Sequence, residues 1–282
     1  MILVTGATGT IGSEVLRRLA GTGEAVRAMT RDASRVHMSP GIDVVYGDYE
    51  DSASLEQALV GAASVFLLTP GGPSVAHHDL AMLDAARSVG VSKVVKLSSI
   101  GTANRDDIEN DWHLPGEQAV QASGMAWTLL RPSAFASNAL RWTEAFRAGN
   151  PVPNMTATAT QGVVDPRDIA EVAVEALTSP NHEGQTYTLT GPELLSVPDQ
   201  VARLGEVLGR TIETIDVPLD VARERMLASG MDSTFVDAAI TGTAIIRAGG
   251  NEILTDDLER ALGRAPTTFE AWARDHRDAF AN

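Results

Sequence analysis

The chain has 282 residues, 44% of them hydrophobic and 21% charged, with a formal net charge of −15 and no cysteine. That length suits one large domain or one with a smaller companion, and no apolar run approaches the roughly 18 residues that a bilayer crossing demands. The acidity works against binding nucleic acid or an anionic membrane surface; the missing cysteines exclude disulfides, thiolate chemistry and cysteine-ligated zinc, and fit a cytoplasmic protein.

The opening run MILVT is short, has no basic stretch ahead of it and ends in glycines, so no export signal is expected. From there to residue 131 short β-rich runs (MILVT, AVRAMT, IDVVYG, SVFLLT, KVVKLSS and AWTLLRP) alternate with helical stretches such as SEVLRRLA, SLEQALVG, LAMLDAARSVG and EQAVQASG. Alternation of this kind predicts a parallel sheet, and strands apolar at nearly every position predict that helices cover both faces and that these strands avoid the edges. His77 and His78 are adjacent, so on a helix they diverge by about 100°, which predicts two surface histidines and no metal site. After Pro132 the pattern predicts a helix over Ala134–Ala148, an extended NPVPNMTATAT, a helix in VVDPRDIAEVAVEALTS and a strand in QTYTLTG. Beyond Ser196 the segments read as helical apart from TIETIDVP. The stretch GMDSTFVDAAITGTAIIRAGG is compatible with a lid, lobe packing or a contact surface, and a homodimer stays open.

The first strand runs into Gly6, Gly9 and Gly12 and then into a helix. This arrangement lets backbone N–H groups and a helix N-terminus meet a pyrophosphate: Gly6 for the tight turn, Gly9 for room, Gly12 for close helix packing. Thr8, Thr10 and Ile11 offer amides or hydroxyls to the same anion. Together with the strand–helix alternation, the turn predicts an α/β fold with a doubly wound parallel Rossmann-type sheet. Residues 1–190 form the dinucleotide-binding domain, with an excursion near 135–160 contributing to a substrate pocket, and residues 191–282 form a smaller, mainly helical substrate-binding lobe.

The G-x-x-G-x-x-G spacing of TGATGTIG resembles the short-chain dehydrogenase/reductase superfamily, in its extended and atypical branches. With VRAMTRD, GDYEDSASLEQAL, LLTPGGP, AARSVGVSKVVKLSSIG, HLPGEQAVQASGMAWTLLRPSAF, VVDPRDIAEVAVEAL and TYTLTGPELLS, the chain is similar to the NmrA-like group, which includes type-2 NAD(P)H:quinone oxidoreductases. The likeness spans most of residues 1–200. It implies an NADPH-dependent oxidoreductase that transfers hydride to a small molecule, a quinone or another conjugated carbonyl compound. The group also implies two alternatives: an NADP(H)-binding redox sensor without turnover, or a non-redox lyase or isomerase.

Arg31 follows the second strand, where a guanidinium suits a 2′-phosphate and favours NADP(H), although Asp32 is adjacent and an exposed arginine there is also simply solvated. By resemblance Asp48 meets the adenine, with turn formation or helix capping as the alternative, and Thr69 and Pro70 lie where the cofactor ribose passes. Topology puts Ser98, Ser99, Arg131, Pro132 and Ser133 at the carboxyl ends of strands. Ser98 is assigned to the cofactor, Ser99 to the substrate carbonyl and Pro132 to the nicotinamide amide, while serines bonded only to loop backbone remain the alternative.

The superfamily's Tyr-x-x-x-Lys pair is missing, and its two positions are held by Glu109 and His113. His113 therefore reads as a ligand-contacting or catalytic group, or as a structural histidine, and Pro115 allows it to precede the helix with Glu117 in the first turn. Phe135, Asn138 and Trp142 are assigned to the substrate pocket, although the helical spacing of Trp142 and Phe146 also suits a core.

Overall fold

A computed structural model describes residues 1–35, 41–102 and 111–281. In chain order its elements are β1 (Ile2–Val4), α1 (Thr10–Leu19), β2 (Val26–Thr30), β3 (Ile42–Tyr46), α2 (Ser52–Leu59), β4 (Ser64–Leu67), α3 (Val75–Ser88), β5 (Lys93–Leu97), α4 (Leu114–Gln121) and β6 (Ala126–Pro132). Then follow α5 (Thr143–Ala148), β7 (Val152–Asn154), β8 (Gln161–Gly162), α6 (Pro166–Thr178), β9 (Gln185–Leu189), β10 (Leu194–Leu195), α7 (Val197–Leu208) and β11 (Thr214–Asp216). The chain closes with α8 (Leu219–Ala228), α9 (Ser233–Arg247), α10 (Asp257–Leu262), α11 (Phe269–Asp275) and α12 (Arg277–Phe280). Two compact units emerge: Met1–Pro132 with Pro166–Thr188 and Arg260–Gly263, and Ser133–Asp165 with Leu189–Glu259 and Arg264–Asn282.

The first unit is built on a sheet of order β3-β2-β1-β4-β5-β6-β9, in which β1–β2, β2–β3, β1–β4, β4–β5 and β5–β6 all run parallel. It is the doubly wound Rossmann-type architecture read from the sequence. Parallel neighbours need crossovers, and the helices that supply them bury the inner strands. Leu3, Val65, Leu67 and Val94 are fully buried with Leu55, Leu59, Met82 and Leu83. The expectation that these strands avoid the edges fails for β3, which is an outer strand of the sheet. Its Val44 and Val45 are only half-buried, and Asp43 pairs with Arg27 of β2 at 2.8 Å, a charge pair of the kind that blunts an exposed edge. The strand order reverses beside β1, so the carboxyl ends of β1 and β4 flank the crevice where ligands of open α/β sheets sit.

In the second unit β8 pairs antiparallel with β10, and β7 runs parallel to β11, the short strand in TIETIDVP. The segment 133–165 belongs entirely to this unit, because Ala136, Ala139, Phe146, Val152 and Val163 share a core with Leu195, Val201, Leu204, Phe269, Trp272 and Phe280. The helix expected over Ala134–Ala148 is a 3₁₀ segment, Ala136–Trp142, followed by the short α5, which ends at Gly149 with φ 70°. Only Ala222 of α8 and Val236 of α9 are fully buried.

Candidate active site

The turn after β1 explains each glycine separately. Gly6 has φ +62°, which L side chains rarely adopt, and a Cβ there would lie 2.6 Å from Leu68 Cδ2. A Cβ on Gly12 would come within 2.1 Å of Gly6 O, so α1 seats directly on the turn. Gly9 differs: its φ is −92°, it is exposed, and a Cβ would meet nothing closer than Gly6 O at 3.4 Å. The protein itself does not require a glycine at that position.

Gly9 is also the N-cap of α1, where among the described residues no side chain accepts the first amides and no acidic residue occupies the first turn. Some other helices satisfy that need internally: Asp51 caps α2 through the Ala53 and Ser54 N–H groups at 3.1 and 3.3 Å, and Ser196 and Asp199 form a reciprocal capping box on α7, whereas α3 starts at Ser74 without a side-chain cap as α1 does. The start of α1 is thus a set of backbone donors beside open space, which fits a phosphate-bearing cofactor. Thr8 and Thr10 are exposed there, whereas the Ile11 side chain is core, leaving only its amide for an anion.

Beyond β2, Arg31 is exposed, and among the described residues no carboxylate pairs with it. Asp32 is occupied elsewhere, its carboxylate accepting the Ser34 N–H at 3.0 Å and the Ser34 hydroxyl at 2.6 Å. Asp48 accepts the Glu50 N–H at 3.2 Å while Asp51 caps the helix, so Asp48 forms a turn and caps nothing. Tyr49 donates to Leu68 O at 2.9 Å and stacks on His78; burial pushes its phenol pKa up. The two histidines both reach Glu50, at 3.4 Å from His77 and 2.9 Å from His78, and among the described residues no cluster of His, Asp or Glu could hold a metal.

Thr69 is 7% exposed and its hydroxyl donates to Asp79 at 3.1 Å, so any contact with a cofactor falls to its backbone; Pro70 is exposed. Asp79 in turn pairs with Lys96 at 2.6 Å, an interaction the sequence analysis missed. Lys96, set between apolar residues of β5, was the available signal, since a buried ammonium needs a partner.

At the ends of β5 and β6 a second unforeseen cluster forms. Glu117, 2% exposed, accepts the Ser98 hydroxyl at 2.5 Å and two N–H groups of Arg131 at 2.9 and 2.5 Å. The Glu117 carboxylate holds the guanidinium charged, pushing the Arg131 pKa up. With its proton committed to Glu117, Ser98 can only accept a hydrogen bond from a ligand. Ser99 is half-buried and its hydroxyl reaches Ile100 O only at a weak 3.4 Å, so its proton is available to another acceptor. Pro132 is buried, with its carbonyl accepting the Ile100 N–H at 2.9 Å.

His113 is the N-cap of α4 and half-buried; its N–H donates to Asp111 at 3.2 Å and its carbonyl accepts the Glu117 N–H at 3.0 Å. It therefore precedes the helix, as Pro115 allowed, and the Glu117 carboxylate serves Ser98 and Arg131. Glu109 lies outside the described residues.

In the second unit Phe135 is half-buried and bridges to Val164, Asn138 is exposed, and Trp142 packs partly buried against the core. Phe146 is wholly core, edge-on to Phe280 with ring centroids 5.6 Å apart. Ser133, 4% exposed, has a hydroxyl with no partner among the described residues.

A Rossmann-type sheet whose first helix begins on an open glycine turn is the construction of a nicotinamide-nucleotide-binding protein. The chain belongs to the NAD(P)H-binding family, whose model matches residues 6–180. It is 37% identical to the (4-alkanoyl-5-oxo-2,5-dihydrofuran-3-yl)methyl phosphate reductase of Streptomyces griseus, over 100% of this chain and 99% of that one. It is 35% identical to the NAD(P)H azoreductase of Xenophilus azovorans, over 99% of each. Its fold matches the NADPH-dependent quinone oxidoreductase of Escherichia coli, solved with NADPH, with a TM-score of 0.86 at 23% identity over 99% of this chain and 100% of that one. The NmrA-like resemblance read from the motifs holds.

Proposed function

We propose that the protein passes a hydride from NADPH to a quinone or another conjugated carbonyl compound. The chain is an NAD(P)H-dependent oxidoreductase; the phosphorylated form of the cofactor, the acceptor and the roles of individual residues are what this reading adds. The observation that carries it is the bare N-terminus of α1, the turn that the protein itself does not complete. The relatives favour a conjugated acceptor, since one is named for an oxo-dihydrofuran bearing an alkanoyl group and the other for azo reduction.

NADPH supplies the hydride, so the chain's task is to bind, orient and exclude water. Thr8, Thr10 and the amides of Thr10, Ile11 and Gly12 hold the pyrophosphate, Arg31 holds the 2′-phosphate, Asp48 meets the adenine, and the Thr69–Pro70 backbone lies along the ribose. Ser98 accepts from the cofactor and Ser99 donates to the acceptor's carbonyl, the division of labour that favours a Glu117-bound Ser98 and a loosely held Ser99. Phe135, Asn138 and Trp142 contact the substrate, and His113 contacts the oxygen that gains charge. A reduced quinone is a stabilised anion that collects its proton from water, so the missing Tyr–Lys pair is no obstacle.

The test is NADPH oxidation followed by absorbance with a panel of naphthoquinones, benzoquinones and aldehydes. Turnover with quinones is expected. Tight binding of NADPH and NADP without turnover of any acceptor overturns the reading, and unchanged kinetics in His113→Ala removes that residue from it.

A further inference from the structure

We infer that Asp79 and Lys96 form a buried charged strut whose work is to position Thr69, and with it the end of β4 along which the cofactor ribose passes. The inference rests on the NADPH reading above and names positioning residues for it.

Both side chains are 0% exposed, with Lys96 Nζ 2.6 Å from Asp79 Oδ2. Two charges removed from water gain little net stability from each other, and an apolar pair of similar volume serves a core as well or better. The pair provides direction instead. One carboxylate oxygen is held by the ammonium of β5, and the other, Oδ1, receives the Thr69 hydroxyl at 3.1 Å. The neighbouring residue is fixed just as firmly: the Leu68 N–H donates to Thr5 Oγ1 at 2.8 Å, and Leu68 O accepts the Tyr49 hydroxyl at 2.9 Å. Residues 68 and 69 are thus tied by three side chains, from the strand end before the glycine turn, from the turn after β3 and from α3. Leu68 is also the residue against which Gly6 packs, so the strand end and the phosphate turn form one assembly.

The strut also sets α4. A Cβ on Gly116 would lie 2.0 Å from Asp79 Oδ2, so the helix accommodates the carboxylate only with glycine there. The next residue, Glu117, grips Ser98 at the end of β5. Through Asp79 the ends of β4 and β5, where Thr69 and Ser98 are assigned to the cofactor, are referred to one buried charge pair.

Removing either partner alone leaves the other buried without a counter-charge and risks unfolding, so the pair is replaced together, as Asp79→Leu with Lys96→Met. This double variant, Thr69→Val, Thr69→Ser and the triple combination are titrated with NADPH by fluorescence, and their KM for NADPH, kcat and thermal midpoint are measured with a quinone. The double variant is expected to fold with a midpoint near that of the wild type and to bind NADPH about tenfold more weakly, the loss falling in KM more than in kcat. Thr69→Val weakens binding to a similar extent, Thr69→Ser retains wild-type affinity, and the triple is no worse than the double because all act through one contact. Wild-type affinity in a folded double variant, or losses that multiply in the triple, overturns the strut. A wild-type protein that binds no NADPH overturns the cofactor reading itself, and the strut with it, so the two failures are told apart in the first titration.

Discussion

The N-termini of α1 and α2 lie in the same unit and solve the same problem in opposite ways. At α2, Asp51 satisfies the first amides from within; at α1, Gly9 has no side chain to do so, and among the described residues no side chain caps the helix. A helix start costs stability when its donors are left bare, and α3 lacks a side-chain cap as well; what sets α1 apart is the exposed glycine turn ahead of it, which leaves room for a partner outside the chain. Gly9→Ala is the largest test of that contrast. Its backbone suits any residue and its Cβ would meet no protein atom closer than 3.4 Å, so stability is expected to hold or rise slightly while NADPH affinity, by calorimetry, falls at least tenfold, about 1.4 kcal/mol. An unchanged affinity in the folded variant shows that nothing occupies the space above Gly9.

Arg31 and Asp32 repeat the contrast within two residues: the acid is consumed by Ser34, while among the described residues no carboxylate pairs with the guanidinium. Arg31→Glu is expected to lower the preference for NADPH over NADH by about 10- to 100-fold, the range for losing a charge-assisted bond to phosphate. The ratio of kcat/KM for the two cofactors reads it, and a preserved ratio removes Arg31 from the site. On the self-sufficient side, Asp51→Ala should cost about 1 kcal/mol, a drop of roughly 2–4 °C in Tm, with NADPH affinity unchanged. A loss of affinity there would show that the two helix starts are not independent.

The glycine turn was legible because its causes are local: a positive φ at Gly6 and a helix seated on its own turn at Gly12 depend on residues within six positions of each other. Strand identities were legible for the same reason, through apolar runs. Strand order was not, because in IDVVY only the charge of Asp43 hints at an outermost place; the half-burial of Val44 and Val45 follows from having no neighbour on one side. Whether Asp48 forms a turn or caps a helix was hidden because it lies just ahead of α2, and the structure decides it by placing Asp51 at the cap. The Ser98–Glu117–Arg131 and Thr69–Asp79–Lys96 clusters join residues from separate elements, and pairing at that range follows from the packing of the sheet, not from any spacing in the chain. Only Lys96, a charge inside a buried strand, announced that a partner had to exist.

The far side of the sheet gives the smallest test, at a polar group fully consumed by the fold. His182 is buried, its Nδ1 lies 2.9 Å from the Tyr187 hydroxyl and its carbonyl accepts the Thr128 hydroxyl at 2.8 Å. Burial pushes its pKa below the ordinary histidine value, with Lys93 adding to the effect and Glu175 opposing it. Between that lowered value and about 6.5 the unfolded chain binds a proton that the native protein refuses, so stability is full above about pH 6.5 and falls as the solution is acidified below it. The expected share is a midpoint change of about 1–2 °C between pH 7.5 and 5.5, absent in His182→Gln, which cannot titrate. If the variant loses as much stability over that interval as the wild type, His182 is charged in the native protein and its surroundings are wetter than their burial indicates. The contrast between groups consumed internally and groups held for a ligand would then have to be redrawn at the edge of the sheet.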